Sequence, residues 1–125
     1  MSPAVARRLW LWLPVAAYMA VIFWLSAQSH PPAPPGLSDK WQHGLAYAGL
    51  ALVSLRALAG GRWSGVTLAA LAGAWLIATA YGATDECHQM FTPARTPDLM
   101  DLAADATGAL AGAAAAGAWS IIRRL

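Results

Sequence analysis

Four long apolar stretches alternate with short polar segments along the chain. They cover about residues 9–27, 41–59, 63–83 and 101–122. An α-helix of the first length is about 28 Å long, which is enough to cross the hydrocarbon core of a bilayer. The pattern therefore predicts an all-α fold, an integral membrane four-helix bundle in a single domain spanning residues 1–125.

The composition supports lipid as the main surroundings of the chain. Of the 125 residues, 58% are hydrophobic and only 11% are charged. A soluble domain carries about 25% charged residues, which it needs to cover its surface. Membrane lipid is therefore the first predicted partner.

The first apolar stretch could also be a secretory signal peptide, because Arg7 and Arg8 precede it. Signal peptides have a shorter apolar region of about 7–15 residues. In addition, Trp10 and Trp24 stand near the two ends of the stretch, where interfacial anchors are expected. These features favour a retained membrane helix.

Glycine and proline mark the connections between the predicted helices. Four prolines in residues 28–37 predict an extended, non-helical connection. Gly60 and Gly61 predict a tight turn. The third helix should continue past its apolar part toward Met90, and prolines in residues 91–97 should then break it. We expect this segment to form a re-entrant or extracytoplasmic loop between the third and fourth helices.

The helix faces predict close packing between helices. Ser38 is the predicted N-cap of the second helix. Small residues at four-residue spacing on the third helix favour close approach of a neighbouring backbone, at Ala70, Ala74, Ala78 and Gly82. The fourth helix carries acids and glycines on one face: Asp101, Asp105, Gly108 and Gly112. Such faces are also compatible with homo-oligomers.

Charge is distributed unequally between the two ends of the predicted bundle. With four spans, six arginines fall on one side: Arg7, Arg8, Arg56, Arg62, Arg123 and Arg124. The positive-inside rule makes this side cytoplasmic, with both termini inside. All six acids lie toward the other side. The basic residues are scattered at helix ends, which argues against nucleic acid as a partner.

The acids should converge with His43 at the extracytoplasmic ends of three helices. Carboxylates crowded at low dielectric must be protonated, paired or bound to cations. Asp101 and Asp105 are therefore candidate ligands of a divalent cation, the one cofactor that the sequence suggests. Cys87 is the single cysteine, so it cannot form an internal disulfide.

The chemistry-bearing residues each allow a structural and a functional interpretation. His43 could be a buried histidine bonded to Asp101 or Glu86, it could act with Glu86 as an acid/base pair, or it could be a metal ligand. Arg95 could bind an anion, but an ion pair with nearby Asp98 and Asp101 is favoured. The candidate binding residues at this end are Lys40, Tyr47, Gln89, Arg95 and Asp98.

These motifs together resemble those of the VanZ-like membrane protein family. The resemblance covers nearly the whole chain and is carried by Ser38-Asp39-Lys40, His43, Tyr47, Glu86-x-x-Gln89, Pro93-x-Arg95, Asp98, Asp101 and Gly108. It implies a small helical bundle in the bacterial cell membrane. The family takes its name from a member associated with resistance to the glycopeptide antibiotic teicoplanin. Asp105 stands where the family usually has asparagine.

Two main hypotheses for function follow. The first is a binding or accessory membrane protein that acts at the outer face in cell-envelope processes. The second is an intramembrane enzyme acting on a lipid-linked phosphate or peptide intermediate, with His43 and Glu86 as acid and base and with Arg95 and Lys40 holding the anion. Net negative charge disfavours direct phosphate binding unless a divalent cation bridges the groups. A proton-coupled transporter is a third, weaker hypothesis, because four helices without repeats suit alternating access poorly.

Overall fold

The computed structural model describes residues 1–124, and this part of the chain is all-α as predicted. It contains four α-helices and no β-strand. The helices, in chain order, are α1 (Pro3–Ser26), α2 (Asp39–Leu58), α3 (Leu68–Gln89) and α4 (Leu99–Arg124). A short 3-10 helix, Trp63–Gly65, lies between α2 and α3.

The pair α2 and α4 forms the centre of the bundle. Their backbones approach closely at Gly44 and Gly108, where a Cβ on Gly108 would overlap the Gly44 carbonyl group. One turn further, a Cβ on Gly112 would lie 2.9 Å from the Ala48 carbonyl oxygen. The predicted glycine face of α4 is thus an interhelical contact, which positions the acids of the same face against α2.

The small-residue face of α3 is buried as the four-residue spacing predicted. Ala70, Ala74 and Ala78 are core residues, and Gly82 is also buried. Trp75 on α3 donates a hydrogen bond from Nε1 to a backbone carbonyl of α4 at 3.0 Å. Helix α3 therefore lies directly against α4.

Helix α1 is attached by two tyrosines that donate hydrogen bonds to backbone carbonyls. Tyr18 of α1 bonds to Ala46 at 2.6 Å, and Tyr81 of α3 bonds to Met19 at 2.7 Å. Both hydroxyl groups are partly buried, and each hydrogen bond satisfies its hydroxyl group within the bundle. These contacts hold α1 against α2 and α3.

Hydroxyl side chains cap the starts of α2 and α3, and two glycines form the turn before α3. Ser38 accepts a hydrogen bond from the Trp41 amide, which confirms it as the N-cap of α2. Helix α3 begins at Leu68 rather than at Trp63, because Thr67 caps it by accepting from the Ala70 amide. The preceding glycines, Gly60 and Gly61, have φ values of +67° and +74°, as a tight turn requires.

The two connections at the acidic end are non-helical, as predicted. Residues 28–37 contain no helix, and α3 ends at Gln89. Asp98 caps α4, since its Oδ1 accepts a hydrogen bond from the Met100 amide at 2.9 Å. This carboxylate is therefore fixed at the start of α4, one turn before Asp101.

Membrane-spanning capacity differs among the helices. Within residues 1–124, α1 alone is long and apolar enough to cross a membrane. The other three helices contain many alanines and glycines, and acids lie at one end of each. A bundle with four spans is therefore not confirmed, and the span boundaries given above stay predictions.

Candidate functional site at the acidic ends of α2, α3 and α4

The centre of the site is a hydrogen bond between α2 and α4. His43 Nδ1 lies 2.8 Å from Asp105 Oδ1, and Asp105 is fully buried. The other ring nitrogen, Nε2, lies 3.6 Å from Asp101 Oδ2. We expected His43 to bond to Asp101 or Glu86, but the close approach at Gly44 and Gly108 brings Asp105 nearest.

Lys40 neutralises the start of α4. Its ammonium group bonds to Asp98 Oδ2 at 2.8 Å and also to Asp101 Oδ1. The hydrogen bonds to Asp101 and then Asp98 raise the pKa of Lys40. The same contact with Lys40 is the main cause that lowers the pKa of Asp98.

Arg95 does not take part in this ion pair. Its Nη1 donates to the backbone carbonyl of Gln28 at 3.1 Å, and no carboxylate of residues 1–124 forms a salt bridge with it. The predicted pairing of Arg95 with Asp98 and Asp101 is therefore wrong. Lys40 fills that role because it extends from the first turn of α2 directly toward α4.

Glu86 is buried at the end of α3 and is only partly satisfied. Its Oε2 accepts a hydrogen bond from the Asp98 amide at 2.9 Å. Oε1 has no hydrogen-bond partner within the described chain. Burial raises the pKa of Glu86, because water no longer stabilises the charged form.

The site contains more buried carboxylates than cationic side chains. Asp85, Glu86, Asp101 and Asp105 are all less than 10% exposed. Among residues 1–124, only Asp101 of these four has a lysine or arginine nitrogen within 4.0 Å. Protons, a metal ion or a cationic ligand must supply the missing positive charge.

A pocket of about 120 Å³ opens beside the cluster, between α1, α2 and α3. Its polar lining comprises Ser26, Asp39, Gln42, His43, Tyr47, Asp85, Gln89 and Arg95. Pro31 and Pro32 of the connection between α1 and α2 form part of its wall. The pocket thus combines the predicted binding residues Tyr47, Gln89 and Arg95.

The predicted site residues divide between the pocket and the ion cluster. The other two binding candidates, Lys40 and Asp98, bond to each other and do not line this pocket, but Asp98 lines a neighbouring pocket together with Gln89 and Arg95. Glu86 also lies outside the pocket lining, behind the start of α4. The roles assigned to all these residues stay predictions.

Two groups of side chains have a spacing that could hold a metal ion. Asp39, His43 and Asp101 form one group, and His43, Glu86 and Asp105 form the other. In each group, one ligand atom per residue lies within 4.8 Å of the others. The two predicted metal ligands, Asp101 and Asp105, thus fall in different groups that share His43.

Asp85, Pro31 and Pro32 line the pocket but are not among the binding residues predicted from the sequence. Asp85 was recognised as part of the acidic cluster, and its spacing to Gln89 of one helical turn could have indicated a shared face. The participation of Pro31 and Pro32 could not be recognised, because no periodicity relates an irregular connection to a helix.

No curated protein and no solved structure matches the chain. The profile of the VanZ/LLP1 family matches residues 9–122, nearly the whole chain and all the residues of the site. The resemblance based on the sequence motifs is therefore confirmed: this chain belongs to the VanZ/LLP1 family.

Proposed function

We propose that the protein spans the bacterial inner membrane four times, with both termini in the cytoplasm. The arginine asymmetry described above supports this orientation. Large exposed apolar residues also occur on every helix, for example Trp24, Leu52, Leu76 and Ile121. In lipid these side chains would be favourably surrounded, and the acidic ends of α2, α3 and α4 would face the cell envelope.

The proposed activity is binding of an amine-bearing envelope component at this outer end. The observation that carries this proposal is the pocket beside the buried cluster. Its lining includes two carboxylates, those of Asp39 and Asp85, and one guanidinium group, that of Arg95. Two carboxylates favour a cationic or zwitterionic group over a simple anion. The amide of Gln89 can orient such a group by hydrogen bonding.

The hypothesis of an enzyme acting on a lipid-linked phosphate is not favoured. It required Lys40 and Arg95 to hold the anion. Lys40 is bonded to two carboxylates, and Arg95 donates to a backbone carbonyl. A phosphate would therefore have to displace existing contacts and enter a site of net negative charge.

The proposed orientation can be tested with the native cysteine. Cys87 is exposed near the end of α3. A membrane-impermeant maleimide should label it in intact spheroplasts. In a Cys87→Ser background, a Ser64→Cys variant at the opposite end, where Ser64 is exposed, should be labelled only after the membrane is opened. The reverse pattern would contradict the proposed orientation.

The binding proposal needs a defined probe and a matched variant. Short-chain phosphatidylethanolamine should raise the melting temperature of the purified protein in detergent, whereas short-chain phosphatidylglycerol should not. Asp85→Asn removes a carboxylate from the pocket and should abolish the shift. Arg62→Gln, at the other end of the bundle, should retain it. Equal shifts for both lipids would contradict recognition of the amine.

A link to teicoplanin resistance can be tested separately in cells. We propose that expression in a teicoplanin-sensitive bacterium raises the minimum inhibitory concentration. Gln89→Leu, which removes a buried amide of the pocket, should lose this protection at equal protein level. Arg62→Gln should still protect. Wild-type protein without any effect would remove resistance from the proposed function and leave the binding test unaffected.

A further inference from the structure

We propose that His43, Glu86 and Asp105 form a binding site for one divalent transition-metal ion, with Zn²⁺ or Mn²⁺ as the expected ions. This site lies deeper than the amine-binding pocket and goes beyond the function proposed above. Each of the helices α2, α3 and α4 contributes one ligand. The three ligand atoms lie within 4.8 Å of one another, so small side-chain adjustments can bring them around one ion.

Unpartnered oxygens on two of the three residues point to a ligand. Glu86 is 8% exposed and Asp105 is 0% exposed, and one oxygen of each has no hydrogen-bond partner in residues 1–124. The other oxygen of each is held, Glu86 Oε2 by the Asp98 amide and Asp105 Oδ1 by His43. An unpaired buried carboxylate oxygen is costly, and a metal ion would satisfy it.

Asp105 is also held in place from the side of α3. A Cβ on Gly82 would lie 2.8 Å from Asp105 Oδ2, so only glycine leaves room for this oxygen. Gly82 and Glu86 are one turn apart and therefore share a face of α3. The free oxygen of Asp105 thus lies against the helix face that presents Glu86.

Local charge selects this group over the one formed by Asp39, His43 and Asp101. Lys40 already bonds to Asp101, and Asp39 is largely exposed to solvent. Glu86 and Asp105 have no lysine or arginine within salt-bridge distance among the described residues. A divalent cation would therefore remove the larger charge imbalance when it binds between Glu86 and Asp105.

The ligand types suit a transition metal. Imidazole and carboxylate together bind Zn²⁺ and Mn²⁺, whereas Ca²⁺ takes about 6–8 oxygen ligands, more than this site supplies. Coordination through Nδ1 would replace the hydrogen bond from His43 to Asp105. The proton displaced from His43 or the carboxylates would be released to solvent. The Nε2–H group of His43 would then face Asp101. Carboxylates in this position commonly orient the ring of a metal-bound histidine.

The full-length protein can be tested in mild detergent after treatment with a chelator. Zn²⁺ or Mn²⁺ should raise the melting temperature by several degrees and saturate at one ion per chain by elemental analysis. Mg²⁺ and Ca²⁺ should give smaller shifts. Mn²⁺ bound to the protein should show nitrogen coupling from one histidine in pulsed electron paramagnetic resonance.

Variants distinguish the proposed ligands from their neighbours. Glu86→Gln and Asp105→Asn preserve side-chain shape and should abolish both the shift and the stoichiometric binding. Asp39→Asn should retain both, because Asp39 belongs only to the other group. Circular dichroism verifies folding, and the two ligand variants provide independent tests if one fails to fold.

Two outcomes would overturn the proposed metal site. The first is the absence of both thermal shift and bound metal in the wild type, which would leave protons to balance the carboxylates. The second is loss of binding in Asp39→Asn but not in Glu86→Gln, which would assign the ion to the other group. Asp85→Asn separates the two proposals, because it should impair binding of the amine probe and leave metal binding intact.

Discussion

The charged side chains at the two ends of the bundle have different partners. At one end, three arginines each donate to a backbone carbonyl: Arg7 to Gly60, Arg56 to Trp10 and Arg124 to Val66. At the other end, carboxylates are buried around His43 and Lys40. The Trp10 carbonyl has no donor within α1 because residue 14 is proline, and the Gly60 and Val66 carbonyls lie outside the α-helices, so the arginines satisfy acceptors that the helices leave unpaired. At the acidic end, the buried carboxylates outnumber the cationic side chains that could neutralise them.

This difference separates a structural use of charge from a functional one. The carbonyls at the arginine end do not titrate, and each guanidinium can also reach solvent. Contacts of this kind contribute little and vary weakly with conditions. A buried excess of carboxylates costs folding free energy unless something binds to it. We therefore propose that ligand binding occurs at the acidic end.

The largest effect is expected from adding one methyl group at the acidic end of α4. Gly108→Ala places a Cβ into the backbone of α2 at Gly44, which cannot move without shifting the whole helix. Such overpacking costs about 1–3 kcal/mol or more, and it exceeds the helix-propensity gain of about 1 kcal/mol. We expect a clearly lower melting temperature in detergent and loss of the thermal response to metal.

Gly117→Ala is the matched change toward the arginine end of α4. Its Cβ would lie 3.0 Å from Leu71 Cδ1, at the flexible end of a side chain. Leu71 can change rotamer, so the helix-propensity gain should roughly balance the contact. Equal destabilisation by Gly108→Ala and Gly117→Ala would contradict the expected difference between a backbone contact, which cannot relax, and a side-chain contact, which can.

Much of the fold could be predicted from the sequence because local rules determine it. The apolar periodicity predicted the helical class, and Ser38 was identified as an N-cap from its position before an acidic first turn. The four-residue spacing of Ala70, Ala74 and Ala78 predicted the buried face of α3. Each of these features depends on neighbours within about one or two helical turns, which the sequence displays directly.

The partners within the site could not be predicted in the same way. Arg95 and Lys40 are both cationic and both near acids, and the sequence does not show which one reaches α4. The choice depends on the path of the loop before α4, where Arg95 turns toward Gln28. Likewise, His43 meets Asp105 because two glycines set the distance between α2 and α4. Such long-range geometry is not encoded in periodicity.

Removal of Lys40 should destabilise the acidic end in a pH-dependent manner. Because Lys40 lowers the pKa of Asp98, this pairing contributes stability above the unfolded pKa of about 3.9. The contribution is lost as pH falls through the lower pKa of the folded state. Lys40→Met should therefore lower the melting temperature at pH 7, and the deficit should shrink toward pH 3.

Arg7→Met gives the corresponding change at the arginine end. Arg7 donates to the Gly60 carbonyl, which does not gain or lose a proton in this range. Arg7→Met should lower the melting temperature less than Lys40→Met does at pH 7, and by the same amount at pH 7 and pH 3. Both variants are measured with chelator present, so that metal binding does not contribute. A pH-independent deficit in Lys40→Met would argue against the ion pair with Asp98.

Buried Glu86 should show the opposite pH dependence to Asp98. Burial raises the pKa of Glu86, so its contribution to stability is present below the unfolded pKa of about 4.3 and is lost as pH rises through the folded pKa. With chelator, Glu86→Gln should match the wild type near pH 4 and melt at a higher temperature at pH 8. Asp98→Asn should instead melt below the wild type at pH 8. If both variants changed the melting temperature at pH 8 in the same direction, this would contradict the distinction between Glu86 as an unpaired buried acid and Asp98 as a paired one.

The smallest effect is expected from a single contact at the arginine end. Arg56 lies over the Trp10 ring at 4.8 Å and donates to the Trp10 carbonyl at 3.2 Å. A partly exposed cation–π contact contributes about 0.5–1 kcal/mol, so Arg56→Gln should lower the melting temperature only slightly. The variant should retain the full thermal response to metal and to the amine probe, because neither involves this end. Loss of either response in Arg56→Gln would show that the two ends are coupled, and the division between structural and functional charge would then fail.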